Sequence, residues 1–204
     1  LLKTLKNHYD KYRRILENIL EYEPLFAPKA IKHYSLLMDE ILRKTLDLVI
    51  EHIHPLPNPT SSEKICVIAV GGYGRMEMAP FSDIDLLFLT PYKQTAWGES
   101  VIETILYILW DLKLKIGYSV RTVDDCIRLG KKDFTIRTAM LEQRYLSGDK
   151  SLQLSLHKRL WQDLFQKSGS EFIEAKLEER AKRHAQHGGT RYMLEPNVKE
   201  GKGG

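Results

Sequence analysis

A chain of 204 residues with 43% hydrophobic and 28% charged side chains can form a packed domain, which excludes a disordered or fibrous protein. The net charge of +4, from 31 Lys and Arg against 27 Asp and Glu, is too mildly basic to indicate a nucleic-acid partner. Cys66 and Cys126 are too few for a disulfide framework or a zinc site, which favours a cytoplasmic protein. No apolar run approaches the roughly 18 residues of a membrane span, so we expect no membrane contact.

The first 60 residues predict an N-terminal helical segment. Apolar side chains at three- and four-residue steps predict one helix over 1–22 and another over about 29–54. Pro24 and Pro28 mark the break between the helices, and the three prolines within 55–62 end the second helix and give the first boundary. The two apolar stripes consist of Leu5, Tyr9, Tyr12, Leu16 and Ile19, and of Ile31, Tyr34, Met38, Ile41, Thr45, Leu48 and Ile53.

Residues 61–150 predict an α/β core. The continuous apolar run at 65–70 is typical of a strand buried on both faces, and a glycine-rich turn follows at 71–74. Strands separated by helices favour a small mixed sheet with helices packed against it. The further predicted elements are strands at 84–89 and 116–122, helices at 97–113, 124–129 and 134–143, and a short edge strand or turn at 145–149.

Residues 151–204 predict a C-terminal helical segment and a linker to a further domain. The helical pattern runs over about 152–187, with a break near Gly169. The first residue is Leu1 and the last four are rich in glycine, so we expect a fragment of a longer protein. We also expect residues 192–198 to pack on the folded body and residues from 199 onward to be mobile or held by neighbours.

The glycine-rich turn predicts a phosphate site. Gly71, Gly72 and Gly74 follow a buried strand, and glycine lets the backbone turn sharply and lets a ligand approach closely. Exposed amides at such a turn can bind phosphate oxygens. An ordinary turn explains the same residues, so the glycines alone do not establish a phosphate site.

Two aspartates then predict a metal site. Asp83 and Asp85 are two residues apart at the start of a strand, so their carboxylates project to the same side. Two adjacent anions are unfavourable unless a positive charge neutralises them, and Mg²⁺ prefers carboxylate and phosphate oxygens. The alternative is a solvated pair, but the apolar residues from Ile84 to Leu89 indicate that this strand enters a core.

The combination of strand, Gly-Gly turn and Asp-x-Asp strand suits metal-dependent transfer of a nucleotide, and it resembles the DNA polymerase β type nucleotidyltransferase superfamily. The longer segment 71–87 resembles, more narrowly, the bacterial PII uridylyltransferase/uridylyl-removing enzymes. Segments 109–112, 116–122, 141–149 and 192–204 agree with that family, so the resemblance covers roughly residues 65–204.

The resemblance implies transfer of UMP from UTP to a tyrosine of the signal protein PII, with release of diphosphate. It also implies that the phosphohydrolase domain and the glutamine-sensing domains of such enzymes lie outside this chain. We predict Asp83 and Asp85 as catalytic residues and Mg²⁺ ligands. A third carboxylate, common in the superfamily, is missing from 118–122. Asp111, Asp124 and Asp125 lie nearby in the sequence as alternatives, and of these we predict Asp124 as the third metal ligand. The predicted nucleotide-binding residues are Gly71, Gly72, Gly74, Arg75, Ser82 and Arg121.

Two other functions remain open at this point. The chain could transfer AMP to another protein or to a small molecule, because no residue identifies the base and uracil follows only from the resemblance. It could also be a regulatory domain that keeps the fold without activity. Intact Asp83 and Asp85 argue against that function, whereas a missing third carboxylate argues for it.

Overall fold

A computed structural model describes residues 2–78, 82–92, 94–188 and 192. The helices are α1 (Leu2–Tyr22), α2 (Ala27–Leu48), α3 (Gly71–Gly74), α4 (Ala96–Asp111), α5 (Val123–Lys132), α6 (Phe134–Leu141), α7 (Lys150–Leu160) and α8 (Gln166–Gln186). The strands are β1 (Cys66–Ala69), β2 (Ile84–Thr90), β3 (Ile116–Thr122) and β4 (Arg144–Gly148). Shorter helical segments are a 3₁₀ turn at Pro24–Phe26 and π-helical turns at Val49–Ile53 and Trp161–Phe165.

The four strands form one mixed sheet in the order β3-β2-β1-β4. β1 pairs antiparallel with both β2 and β4, and β2 pairs parallel with β3. Helices flank this sheet, which confirms the α/β class with a small mixed sheet. The segment at 145–149, predicted as an edge strand or a turn, lies in the edge strand β4 up to Gly148, and Asp149 caps α7.

Each face of the sheet has its own hydrophobic core because alternate residues of a strand point to opposite faces. One core joins Val67, Leu86 and Phe88 to apolar residues of α1, α2 and α4. The other joins Ile68 and Leu87 to apolar residues of α5, α6 and α7. The N-terminal helices and the sheet therefore share one core, so α1 and α2 help to position the strands.

Some helix bounds differ from the predicted ones for local reasons. α2 begins at Ala27, so Pro28 lies in its first turn, where the missing N–H costs no helical hydrogen bond. The predicted break near Gly169 appears as non-helical backbone at Ser168, inside α8. No helix in the described part of the chain is long and apolar enough to cross a membrane.

The expected docking of residues 192–198 concerns residues that, apart from Tyr192, lie outside the described part of the chain. Tyr192 is 83% exposed, which gives the docking no support at that position. Residues 193–204 lie outside the described residues, and the domain boundaries remain predictions.

Candidate nucleotide site

The glycine turn places three free backbone amides at one end of β1. Gly71 has φ of +61°, a conformation that favours glycine, and it begins the short helix α3. Inside the turn, the Gly74 N–H donates to the Val70 carbonyl at 3.1 Å. Among the described residues, the N–H groups of Gly71, Gly72 and Tyr73 have no acceptor. The amides of Gly71 and Gly72, which are partly exposed, are available to an anionic ligand.

The two aspartates lie next to that turn. Asp85 is the second residue of β2, and Asp83 immediately precedes the strand. A β-carbon built on Gly71 would lie 3.3 Å from Asp85 Oδ2, so the turn and the carboxylate are in close contact. Partial burial raises the pKa of Asp85 above its usual value, and the negative charge of Asp83 raises it further.

The carboxylates of Asp83 and Asp85 are suitable ligands for a divalent cation. Within the described residues neither Asp83 nor Asp85 has an ion pair, so two neighbouring anions are left without protein neutralisation. Carboxylate oxygens are the ligands that Mg²⁺ prefers, with further oxygens supplied by water and phosphate. Asp83 and Asp85 would hold such a cation between the turn and the solvent.

A cavity of about 390 Å³ extends from Asp85 between β3 and α6. Because β3 runs parallel to β2 with Asp85 opposite Gly117, the alternating residues Ser119 and Arg121 share the face of Asp85. Arg121 lines the cavity, and its guanidinium has no hydrogen bond or ion pair with the described part of the chain. The other lining residues are Val70, Gly71, Leu86, Leu87, Gly117, Tyr118, Thr135, Ile136, Ala139 and Met140.

Gly117 is a site residue that the sequence reasoning missed. A β-carbon at this position would lie 2.6 Å from Asp85 Oδ1, so the Asp85 carboxylate rests directly against the Gly117 backbone. Any larger residue would displace the carboxylate or separate the two strands. A glycine at the start of the strand after an Asp-x-Asp strand is the only signal in the sequence, and it has meaning only once the pairing of the strands is known.

Curated proteins resemble this chain over most or all of its length. It is 57% identical to the bifunctional uridylyltransferase/uridylyl-removing enzyme of Cereibacter sphaeroides over 191 residues, which are 94% of this chain and 20% of that protein. The enzyme of the same name from Ruegeria pomeroyi is 60% identical over 182 residues, 89% of this chain and 20% of the relative. The chain belongs to this family.

Two further comparisons agree with the assignment. The uridylyltransferase/uridylyl-removing enzyme of Phenylobacterium zucineum is 48% identical over 203 residues, which cover 100% of this chain and 22% of that protein. The sequence model of the GlnD PII-uridylyltransferases matches residues 171–204. The predicted resemblance is therefore confirmed. The chain spans about a fifth of the length of these relatives.

The three predicted glycines have different environments. Gly71 needs its positive φ, as described above. Gly72 has room for a side chain, since the nearest atom to a built β-carbon is the Glu77 carbonyl oxygen at 3.8 Å. At Gly74 a β-carbon would lie 2.0 Å from the Glu142 carbonyl oxygen, so this glycine permits close packing and its amide is already bonded. Gly72 is thus the glycine of the turn that accepts a side chain without strain in the protein, whereas Gly71 is the one that lines the cavity.

The two predicted nucleotide-binding arginines differ in whether other side chains already bind them. The Arg75 guanidinium binds Glu77 at 2.7 Å and Glu142 at 2.6 Å, so it reaches a nucleotide only if these carboxylates release it. Arg121 has no such competitor among the described residues and already lines the cavity. Ser82 is exposed beside Asp83.

The side chain of Asp124 does not join the pair formed by Asp83 and Asp85. Its side chain is 85% exposed and binds Arg159 at 2.8 Å. The described residues contain no group of three or more His, Cys, Asp or Glu side chains that could hold a metal ion. A third carboxylate at Asp124 therefore has no support in the geometry, and we leave it out of the proposed site.

Divalent cations are expected to stabilise the folded chain. The raised pKa of Asp85 means that its contribution to stability is present below the ordinary carboxyl range and is lost as the pH rises through the folded-state pKa. At pH 7 the ionised pair is therefore unfavourable, and a bound cation removes the penalty. At a concentration of Mg²⁺ about 100 times its Kd the gain is about 2.7 kcal/mol, which raises the unfolding temperature by roughly 5 to 10 °C.

Thermal unfolding with and without Mg²⁺ measures this effect. Asp85→Asn provides the matched comparison because it keeps the shape of the side chain and removes its charge. The variant is expected to unfold at a higher temperature than the metal-free parent at pH 7, with little response to Mg²⁺. An equal Mg²⁺ response in both proteins would place the cation elsewhere.

Proposed function

We propose that this chain transfers UMP from UTP to a tyrosine hydroxyl of a PII-type signal protein, with release of diphosphate. The observation that carries the proposal is the contact between the glycine turn and the unneutralised Asp83–Asp85 pair, at the mouth of a cavity. The names of the relatives support the choice of reaction, because they are uridylyltransferases. Since UTP is an intracellular metabolite, we propose a cytoplasmic location.

In this proposal each group of residues has a separate task. The amides of Gly71 and Gly72 donate to phosphate oxygens, and Arg121 adds a permanent positive charge on the cavity side. The apolar wall formed by Ile136, Ala139 and Met140 receives the base. The chain therefore acts mainly by holding the triphosphate in place while the tyrosine oxygen loses its proton to water and bonds to the α-phosphorus, whose bond to the diphosphate oxygen breaks.

Asp83 and Asp85 hold a divalent cation, for which we propose Mg²⁺. When bound, the cation supplies Lewis acidity and charge neutralisation for the triphosphate. The aspartates fix its location relative to the turn, because Asp85 touches both Gly71 and the Gly117 backbone. With a cation bound, their carboxylates would thereby hold the triphosphate beside the turn.

The decisive experiment measures transfer activity and base preference in one assay. The chain is incubated with each of the four labelled ribonucleoside triphosphates, Mg²⁺ and purified PII, and label on PII is measured. We expect transfer from UTP alone. Transfer from ATP would establish an adenylyltransferase. No transfer from any triphosphate, with nucleotide still bound, would establish a regulatory domain, which the lack of a third carboxylate among the described residues favours.

Replacement of Gly72 with valine is expected to weaken nucleotide binding at least tenfold. The β-carbon fits the protein itself, since its nearest neighbour is 3.8 Å away and Gly72 does not need a positive φ. The branched side chain therefore acts on the ligand and does not strain the turn. A loss of one or two charge-assisted hydrogen bonds accounts for a change of about tenfold or more.

Calorimetric titration with Mg·UTP measures this affinity, and thermal unfolding checks the fold. Gly72→Ala is the graded control and is expected to bind with an intermediate affinity. If the folded valine variant binds UTP as the parent does, the phosphate site is not at this turn.

A further inference from the structure

A buried cluster around Arg144 connects α2, the glycine turn and β4. Arg144 Nη1 donates to Asp39 Oδ2 at 2.6 Å, and Nη2 donates to Asp39 Oδ1 at 3.0 Å. The same guanidinium donates to the carbonyl oxygens of Tyr73 at 3.1 Å and of Gly74 at 3.2 Å. One side chain of β4 thus bridges a helix that is 105 residues away in sequence and the backbone of the turn.

Tyr73 closes the cluster from within the turn. Its hydroxyl donates to Asp39 Oδ1 at 2.8 Å, and its ring lies 5.2 Å from the Arg144 guanidinium carbon. The Asp39 side chain is only 2% exposed, and Tyr73 is 1% exposed. Burial and the charge of Asp39 hold the pKa of Tyr73 well above its usual value, so the phenol remains a neutral donor.

The turn needs an external support of this kind. Three of the four residues of α3 are glycines, which lose more conformational freedom on ordering than other residues. The two carbonyls that Arg144 binds are at the end of the turn, whereas the three free amides are at its beginning. None of Asp39, Tyr73 and Arg144 lines the cavity, so they reach a ligand only through the turn.

We propose that Arg144 is a positioning residue for nucleotide binding, and that Asp39 and Tyr73 complete its support of the glycine turn. The inference rests on the proposed function, because it assigns the turn to the triphosphate. A cluster that served stability alone would have no effect on affinity once the fold was restored by other means. Buried ion pairs can often be replaced by apolar residues of similar volume without loss of stability, which makes the two roles separable.

The test variant replaces the whole cluster with apolar side chains: Asp39→Leu, Tyr73→Phe and Arg144→Met. It leaves no buried charge without a partner, so the fold is expected to persist. Arg144→Lys is the second variant, since lysine keeps the charge but cannot bridge the carboxylate and two carbonyls at once. The control is Lys64→Met, which removes the Lys64–Asp149 ion pair of 2.8 Å at the opposite end of β1.

Three measurements separate the possible outcomes: the unfolding temperature, the calorimetric affinity for Mg·UTP, and hydrogen exchange of the peptide containing residues 70–78. The triple variant and Arg144→Lys are expected to remain folded, to exchange faster in this peptide, and to bind Mg·UTP about tenfold or more weakly. Lys64→Met is expected to match the parent in affinity and in exchange of this peptide.

If the folded triple variant binds Mg·UTP with the parent's affinity and exchanges at the parent's rate, the cluster serves only stability and the inference is wrong. If the parent itself does not bind Mg·UTP, the proposed function fails and the inference falls with it. The first result leaves the uridylyltransferase function intact, so the two failures are distinguishable.

Discussion

Replacement of Asp83 or Asp85 with asparagine is expected to abolish nucleotide transfer while leaving the chain folded. The substitution removes one of two adjacent anions that have no ion pair among the described residues, so the metal-free fold is not weakened. It also removes a ligand of the proposed cation. The cation is worth several kcal/mol of transition-state stabilisation, so turnover is expected to fall about a thousandfold or more.

Turnover at saturating Mg²⁺ and UTP, together with thermal unfolding, measures both effects. Asp124→Asn is a matched control, because it removes an aspartate whose exposed side chain pairs with Arg159. We expect this control to retain the parent's turnover. Near-parental turnover in either Asp83→Asn or Asp85→Asn would rule out a mechanism based on two carboxylates.

The features that the sequence predicted well depend on short-range patterns. The spacing of Asp83 and Asp85 predicted neighbouring carboxylates, and the charge of Asp83 does raise the pKa of Asp85, although only Asp85 lies within β2. The apolar run at 65–70 similarly predicted β1, and the glycines predicted the turn that follows it. Roles of these residues in binding remain predictions, since the geometry fixes their neighbours and not their ligand.

Residues of one type could not be distinguished without the surrounding structure. Gly72 and Gly74 look alike in the sequence, yet only Gly74 packs against the Glu142 backbone and only Gly72 has space beside it. Arg75 and Arg121 were equally plausible phosphate ligands. The structure separates them, because two glutamates already bind Arg75.

Contacts between distant segments were beyond the reach of sequence patterns. The pairing of Arg144 with Asp39 joins β4 to α2, and no local spacing connects residues so far apart. The contact of Gly117 with Asp85 depends on the parallel pairing of β3 with β2 in one particular register. A shift of that register by one residue would move Gly117 away from the carboxylate and turn Ser119 to the other face.

Replacement of Gly117 with alanine is expected to lower turnover about a hundredfold in a chain that still folds. The new β-carbon would lie 2.6 Å from Asp85 Oδ1, which is closer than such atoms approach, so the carboxylate must move by several tenths of an ångström or more. Displacement of a reacting group by about 1 Å can cost about a hundredfold in rate. The backbone itself accepts alanine, because Gly117 does not have a positive φ.

Steady-state kinetics with a Mg²⁺ titration separates displacement of Asp85 from general damage to the fold. A displaced ligand is expected to raise the Mg²⁺ concentration needed for half-maximal turnover, whereas partial unfolding would lower the amount of active protein without changing that concentration. Gly169→Ala is the matched control, since no atom lies within 4 Å of a β-carbon built on Gly169 in α8. The control is expected to retain the parent's turnover and Mg²⁺ requirement. If Gly117→Ala does the same, the Asp85 carboxylate either moves without consequence or does not hold the cation, and the role assigned to this contact is wrong.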